Sequence, residues 1–337
     1  MQNSGLKFQP LRISTGLEFA MKFLHALAAC VLAISSGIAS AASLSPTASV
    51  AELSAALASP STTLTVIDIR PAQDYAAAHI PGALSAPYSS WRGPAHSPGT
   101  LPALDVLTRQ IRQLGLTDDA NHQVVVVSSG ANVSDFGASA RVYWTLKYLG
   151  LTQLSILNGG MQAWQAAQQP VTQAATQPSA PSQYQPVLNT AIIATQADVL
   201  AGINQADVKL IDARPVDFYL GKTKAPTAAV PGTIRGALNV AHSVWFAQGS
   251  TQIVSPERAR AIAAKEFPDV AADNITFCNT GHWSATDWFA LSELAGLPNV
   301  RMYPESLAQW TNADEALPMD NTPSRGSQLL KSLFGKS

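Results

Sequence analysis

The residues of this chain best suited to covalent chemistry lie together in Ile275-Thr276-Phe277-Cys278-Asn279-Thr280-Gly281-His282-Trp283-Ser284. Cys278 is the nucleophile of the set, and its setting gives it that role. The β-branched and aromatic run 275–277 reads as the end of a buried strand. From Ser284 onward Trp288, Leu291, Leu294 and Ala295 recur at helical spacing, with Ser284 or Thr286 as the expected cap. Cys278 thus falls on a strand-to-helix turn. Amides of such a turn point inward as a nest, and the helix N-terminus adds partial positive charge. Both favour an anion, so the turn favours thiolate over thiol and its amides can also hold an anionic substrate. Gly281 fits a loop in which one residue takes positive φ or lets a substrate approach the backbone closely. The competing reading is a buried structural cysteine, because free cysteine is among the most buried residue types.

The elements that position this turn occur twice. Val66-Ile67-Asp68-Ile69-Arg70-Pro71, Asp74-Tyr75 and His79-Ile80-Pro81-Gly82-Ala83-Leu84 return in order as Leu210-Ile211-Asp212-Ala213-Arg214-Pro215, Asp217-Phe218-Tyr219 and Thr233-Ile234-Arg235-Gly236-Ala237-Leu238. Trp91 matches Trp245, the run 124–127 matches 275–277, and Trp164 matches Trp310. An offset of about 145 residues is too long for a solenoid unit and right for a whole domain. Within each copy short apolar runs (64–67, 124–127, 154–157) alternate with helical patterns (104–114, 138–149). This predicts two α/β domains in tandem, each a mainly parallel sheet flanked by helices. Ligands of such sheets bind beyond the carboxyl ends of the strands, where Cys278 lies. The N-terminal domain is expected at 44–172 and the C-terminal domain at 188–318. Residues 173–187, rich in Gln, Pro, Ala, Ser and Thr without apolar period, read as the linker. The tail 319–337 has a weak amphipathic piece (Leu329, Leu330, Leu333, Phe334) with no assigned role.

Composition narrows the function classes. A length of 337 residues is a prior for about two domains. Net charge is −1 and no basic cluster occurs, which argues against nucleic acid as a partner. Charged residues make up 13%, about half the usual share, so the surface is polar but weakly charged. Met21-Lys22, the apolar run 23–38 and Ala39-Ser40-Ala41 form a secretory signal peptide at 21–41, with residues 1–20 an upstream extension and Met21 the initiator. The apolar run is short for a span of about 20 residues, so no stable membrane insertion is expected after cleavage. Leu27-Ala28-Ala29-Cys30 also resembles a lipoprotein box, the minor alternative to a free periplasmic protein. Cleavage after Ala41 removes Cys30 and leaves Cys278 alone, without an intramolecular disulfide. A solitary cysteine in an oxidising compartment reads as a reactive thiol or an intermolecular partner.

The paired Asp-x-Arg-Pro strand ends, His79-Ile80-Pro81-Gly82-Ala83, Leu157-Asn158-Gly159-Gly160 before Trp164, and the single cysteine opening the loop of the second copy resemble tandem-domain rhodaneses, over nearly all of the chain after residue 41. The resemblance implies a sulfurtransferase with an inactive N-terminal domain and a catalytic C-terminal one. Cys278 would carry a sulfane sulfur as a persulfide and pass it from a small donor to a thiol or cyanide-like acceptor, a protein acceptor among them. The turn of the first copy, Val127-Ser128-Ser129-Gly130, has no thiol, so that copy is expected to be silent and to cover one side of the pocket. No metal or organic cofactor is implied.

The departures from the family pattern bear on the donor. Thiosulfate-specific members carry Arg and Lys after the cysteine, where this chain has Asn279 and Thr280. They carry Arg before Tyr-Leu-Gly, where this chain has Phe218. The Cys-Gly-Ser-Gly loop of the mercaptopyruvate type is not matched either. Asn279, Thr280, Gly281, His282, Trp283 and Ser284 are therefore the expected substrate-binding loop, acting through amides in place of cations. His282 either replaces a missing cation or moves a proton, or else only satisfies loop carbonyls. Trp283 either walls the pocket against all but slim donors or packs on the helix. Asp212 and Arg214 recur as Asp68 and Arg70 in the silent copy, which favours a structural pair over a catalytic one. Arg235, standing where the first copy has Pro81, either lines the pocket or is a solvated loop arginine. Other chemistries fit less well. A rhodanese-fold phosphatase needs Cys-x5-Arg to clamp phosphate, and the sixth residue after Cys278 is Ser284. A papain-like protease needs an oriented His beside the thiol; His242 is a candidate, but the duplicated α/β pattern does not suit that fold. The six histidines are scattered without metal-ligand spacing. The non-enzymatic alternative is a persulfide carrier or binding module that loads once and stops.

Overall fold

The structure, a computed structural model, describes residues 1, 2, 5, 43–59, 63–178, 180–266 and 273–323. The expected signal peptide with Cys30, and the apolar residues of the tail, lie outside the described residues.

In the N-terminal domain the β-branched runs form five strands: β1 (Thr47–Ala48), β2 (Thr63–Asp68), β3 (Leu84–Ser85), β4 (His122–Val127) and β5 (Leu154–Leu157). They lie in the order β1-β5-β4-β2-β3, with every pairing parallel. All six residues of β4 are buried, as expected of a central parallel strand covered on both faces. The covering helices are α1 (Val50–Ala58), α2 (Ala72–Ala77), α3 (Leu104–Gln113), α4 (Val133–Tyr148) and α5 (Gly160–Ala166). Helix α4 starts five residues before its apolar period because Asn132 and Asp135 form a capping box at its N-terminus.

The second copy repeats the plan. Helix α6 (Gln196–Gly202) precedes β6 (Val208–Asp212), α7 (Val216–Tyr219), β7 (Thr233–Ile234) and β8 (Leu238–Asn239). Then follow α8 (Pro256–Glu266), β9 (Asp273–Phe277), α9 (Trp283–Phe289), β10 (Val300–Met302), α10 (Ser306–Trp310) and β11 (Met319–Asp320). The sheet order is β10-β9-β6-β8, again parallel throughout. A parallel bridge from Ile193 to Met302 stands where β1 pairs with β5 in the first copy. The antiparallel pair β7–β11 stands where His79 bridges Thr172. The second domain therefore extends through Met319 and Asp320, which the sequence reading had placed in the tail. The linker is partly docked on the first domain, with Tyr184 buried and its hydroxyl donating to the carbonyl of Leu149 at 2.9 Å.

Both sheets belong to one compact unit beginning at Ser43. One hydrophobic cluster crosses between the domains, because α4 of the first packs on α9 of the second. Its aromatic centre sets Phe289 against Phe136 at 5.4 Å and Tyr143 at 5.0 Å between ring centroids, both edge to face. At its rim Lys147 Nζ meets the Glu293 carboxylate at 2.7 Å. The two turns that follow β4 and β9 are thereby fixed relative to each other.

Candidate active site

Asp212 pairs with Phe277 in the register of β6 and β9, so Cys278 emerges one residue beyond the last strand pair. Ser128 emerges at the same point beyond Asp68 and Val127. Cys278 is buried, with 1% of its surface exposed. Its N–H donates to Ser306 Oγ at 3.1 Å, and that hydroxyl donates onward to the carbonyl of Tyr303 at 2.8 Å. Ser306 has φ of 56°, in the left-handed region, and its counterpart in the first copy is Gly160 at φ 58°. Leu307 N–H binds the Cys278 carbonyl as Met161 N–H binds that of Ser128. A side chain has thus been placed at a glycine position so that its hydroxyl supports the cysteine backbone.

The amides of the two loops differ in what they hold. In the Ser128 loop Asp135 accepts the N–H groups of Ala131 (2.8 Å) and Asn132 (3.4 Å), and Asn132 Oδ1 accepts that of Ser134. At the corresponding places the Cys278 loop has Ala285, with no acceptor, and His282, which makes no side-chain cap. Among the described residues the amides of 279–284 make no hydrogen bond. Helix α9 begins at Trp283, so neither Ser284 nor Thr286 caps it as expected. Both hydroxyls are buried within the helix and unpartnered, and Thr276 Oγ1 donates to the Ser284 carbonyl at 3.1 Å. The side chain of Ser284 therefore faces the protein interior and not a substrate.

The N-terminal domain reaches into this loop. Arg92 Nη2 donates to the Thr280 carbonyl at 2.6 Å, and Arg141 Nη1 donates to that of Gly281 at 3.2 Å. In a trans peptide the C=O and the next N–H point opposite ways, so the amides of Gly281 and His282 are turned away from these guanidinium groups. Burial pulls Arg141 down to about 9, which leaves it charged at neutral pH. His282 Nε2 lies 2.9 Å from the Ser134 carbonyl and must carry the proton, so Nδ1 accepts from Tyr88 OH at 2.9 Å. Arg92 Nη1 donates to that same Tyr88 hydroxyl. Burial first, then the charge of Arg92, push His282 down to about 3. It is a neutral bridge to a carbonyl of the other domain, and it does not replace the missing loop cations; Arg92 and Arg141 supply positive charge instead.

Trp283 points toward the C-terminal domain's own strand ends. Its indole stacks on His242 (4.8 Å between centroids, 3° between planes) and meets Phe218 edge to face at 5.8 Å. Its Nε1–H donates to Ser134 Oγ at 2.9 Å. Burial lowers His242, favouring a neutral ring, and Nδ1 is 3.2 Å from the Ala213 carbonyl. Asp212 and Arg214 form a buried two-pronged pair, with Arg214 Nη2 also on the Gly232 carbonyl at 2.8 Å. Asp68 and Arg70 do the same onto Ala78, so this is shared scaffolding. Asn279 Oδ1 lies 3.5 Å from Arg214 Nη1. Arg235 is half exposed on the β7–β11 ribbon, with Nε 3.8 Å from Asp320 Oδ1. It is the solvated arginine of the two readings and does not line the pocket.

Asp287 on α9 was not anticipated. It is fully buried, with Oδ1 accepting from Trp245 Nε1 at 2.9 Å and Oδ2 unpartnered. Burial pushes its carboxyl well above the usual range, and the charges of Cys278 and Asp212 push the same way. Burial thus favours the protonated form of this carboxyl. Among the described residues no three His, Cys, Asp or Glu side chains converge as a metal site. Tyr88, Arg92, Ser134 and Arg141 were also missed, since each acts on a loop about 140 to 190 positions away.

The rhodanese-like domain family is matched at residues 49–167 and again at 195–313. A thiosulfate sulfurtransferase of Rattus norvegicus is 29% identical over 242 residues, covering 71% of this chain and 79% of that protein. The structure of the 3-mercaptopyruvate sulfotransferase SseA from Escherichia coli superposes with a TM-score of 0.66 at 23% identity, over 78% of this chain and 98% of that one. The anaerobic ergothioneine biosynthesis enzyme from Chlorobium limicola superposes at 0.71 with 18% identity, over 82% and 71% of the two chains. The chain belongs to the rhodanese-like family, with two domains in tandem, and is an enzyme of the sulfurtransferase class.

Proposed function

We propose that this protein moves a sulfane sulfur from thiosulfate or a similar donor to a thiophilic acceptor through a persulfide on Cys278. The observation that carries the reading is the set of free amides at 279–284 around a buried cysteine, set against a sister loop whose amides are taken by Asp135. The name of the rat relative supports thiosulfate as donor. In the first half-reaction the Cys278 thiolate attacks the outer sulfur of thiosulfate. A Cys–S bond forms, the donor S–S bond breaks, and sulfite leaves with the electron pair. In the second, cyanide or a thiolate attacks the outer sulfur of the persulfide, and Cys278 departs as thiolate. The oriented amides stabilise the anionic sulfur in both, without reorganising at the moment of reaction. Residues 21–41 support export to the periplasm as the setting, with attachment through Cys30 the alternative. A protein acceptor is compatible with the same chemistry.

The near-complete burial of Cys278 favours one second reading, a carrier loaded by a partner and without turnover of free donors. Thiocyanate formation from thiosulfate and cyanide, measured beside Cys278→Ser with intact mass after donor exposure, separates the two. Steady turnover lost in the serine variant, with one sulfur added to the wild type, is the expected result. One added sulfur without turnover is the carrier. Neither signal, with thiosulfate, mercaptopyruvate or polysulfide, would sink the persulfide mechanism.

A further inference from the structure

A cavity of about 630 Å3 lies in the first domain, over the turn that follows β4. Sites for small molecules span roughly 300–1,000 Å3. Ile69, Pro87, Tyr88 and Ala138 wall it, and Pro71 and Ala72, both exposed, stand at its mouth. Of residues 278–284 only His282 lines it, so it is not the chamber around Cys278. Three donors on its lining have no partner among the described residues. Ser128 is 6% exposed and its hydroxyl makes no hydrogen bond, and the Ser129 N–H makes none either. The Arg70 side chain is 10% exposed; it gives Nε and Nη2 to Asp68 and Ala78 and leaves Nη1 free. In the other copy Arg214 Nη1 meets Asn279 Oδ1 at 3.5 Å, whereas the residue at that place here is Ser129, whose side chain makes no such bond. A buried donor without an acceptor is costly, so this end of the cavity calls for acceptor atoms.

The charges around the cavity are already matched. Arg70 is paired with Asp68 at 2.6 Å. Asp135, the carboxylate on the wall, accepts from the N–H groups of Ala131 and Asn132 and from Asn132 Nδ2. It also stands in the first turn of α4, where the partial positive charge of the helix N-terminus offsets it. The Cys278 loop keeps its amides free for an anion; the Ser128 loop has spent two of its own on Asp135 and needs none. What remains unmet is hydrogen-bond acceptance without net charge, beside apolar walls. We propose that this cavity is a non-covalent binding site of the first domain for a neutral, ring-bearing molecule with a carbonyl oxygen at one end, such as an aromatic amide. The carbonyl accepts from Ser128 Oγ and Arg70 Nη1, and the ring is buried among Ile69, Pro87, Tyr88 and Ala138. An ionised carboxylate of the same shape is disfavoured, because it gives up its hydration in an apolar cavity and faces Asp135. The site does not rest on the persulfide reading.

Equilibrium dialysis of the full chain against 2-naphthamide and its charged counterpart 2-naphthoate tests this. One molecule of the amide is expected to bind per chain with Kd below about 1 mM, the affinity a ligand of that size reaches in a fitting cavity. No binding up to that concentration overturns the site. Ala138→Phe, which puts a ring into the cavity, is expected to weaken binding at least about tenfold, that is by 1.4 kcal/mol or more, and an unchanged Kd there overturns the location. If Ala138→Phe loses its cooperative melting transition, Ala72→Trp at the exposed mouth decides by the same criterion. Ser128→Ala removes one hydrogen bond and is expected to weaken the amide roughly 2- to 12-fold; equal affinity overturns the part given to the hydroxyl. Naphthoate binding as tightly as the amide overturns the neutral class. Cys278→Ser is expected to bind the amide as the wild type does, and loss of binding in that variant would place the molecule at the cysteine and overturn the proposal. None of these readouts requires sulfur transfer, so failure of the site and failure of the persulfide mechanism are seen separately.

Discussion

Ser306 offers the sharpest test of how the loop is held, because two substitutions separate its two contributions. Its hydroxyl accepts from Cys278 N–H and donates to the Tyr303 carbonyl, all fully buried. Ser306→Ala removes both bonds and leaves a buried donor and acceptor unsatisfied, at a cost of about 1–3 kcal/mol. It keeps the left-handed backbone at φ 56°, which a residue with a Cβ adopts at a cost of roughly 1–2 kcal/mol. Ser306→Gly loses the same bonds but relieves that strain, as Gly160 does in the sister loop. The expected stability order is therefore wild type, then Gly, then Ala, with the two variants about 1 kcal/mol apart. Urea unfolding at a common m-value reads the order directly. Because the lost bond holds the Cys278 backbone, sulfur transfer by Ser306→Ala is expected to slow roughly 5- to 150-fold, if the whole cost appears in the barrier. An alanine variant as stable and active as wild type, or a glycine variant less stable than the alanine one, would refute the reasoning.

Burial raises the folded-state pKa of Asp287 well above the value near 4 at which the unfolded chain's carboxyl ionises. Its proton favours the folded state fully only below that value, and the benefit is lost as pH rises toward its raised folded pKa. Asp287→Asn, which keeps the acceptor for Trp245, is expected to become progressively more stable than wild type from about pH 4 upward. The difference grows by up to about 1.4 kcal/mol per pH unit; parallel pH–stability curves would show the carboxyl to be ionised in both states. Arg92→Met removes a charged donor from the Thr280 carbonyl. The rate of sulfur loading, followed as mass gain on Cys278, is expected to fall roughly 10- to 150-fold, and an unchanged rate would mean that the loop holds its shape without that guanidinium.

Features made by neighbours in sequence were legible. The β-branched run, the cysteine and the helical period fall within twenty residues, and the Asp-x-Arg-Pro pair closes over two positions, so both were read from pattern alone. The duplication then gave the parallel sheets and the two-domain plan. What failed was the helix cap: Ser284 and Thr286 look like caps, but burial of their face against β9 sets the start of α9 at Trp283. Arg92, Arg141 and Ser134 carry no local mark, since their partners are brought near only by the packing of α4 on α9. Two further features were written in the duplication and could have been found by aligning its copies. The capping pair Asn132 and Asp135 has no equivalent at His282 and Ala285, and Ser306 stands at the position of a glycine that takes positive φ.

The arginines that cross between the domains bear on what can be separated. Cys278, its free amides and Ser306 are all encoded after residue 187, so the atoms of the proposed transfer are local to one half of the gene. The groups that orient the Thr280 and Gly281 peptides, and the hydroxyl that tethers Trp283, are encoded before residue 173. The unit that inherits the nucleophile is smaller than the unit that can use it. On the proposed mechanism the half without a thiol is free to change at Ser128 but is constrained at Arg92, Ser134 and Arg141, whose bonds reach the Cys278 loop of the other half.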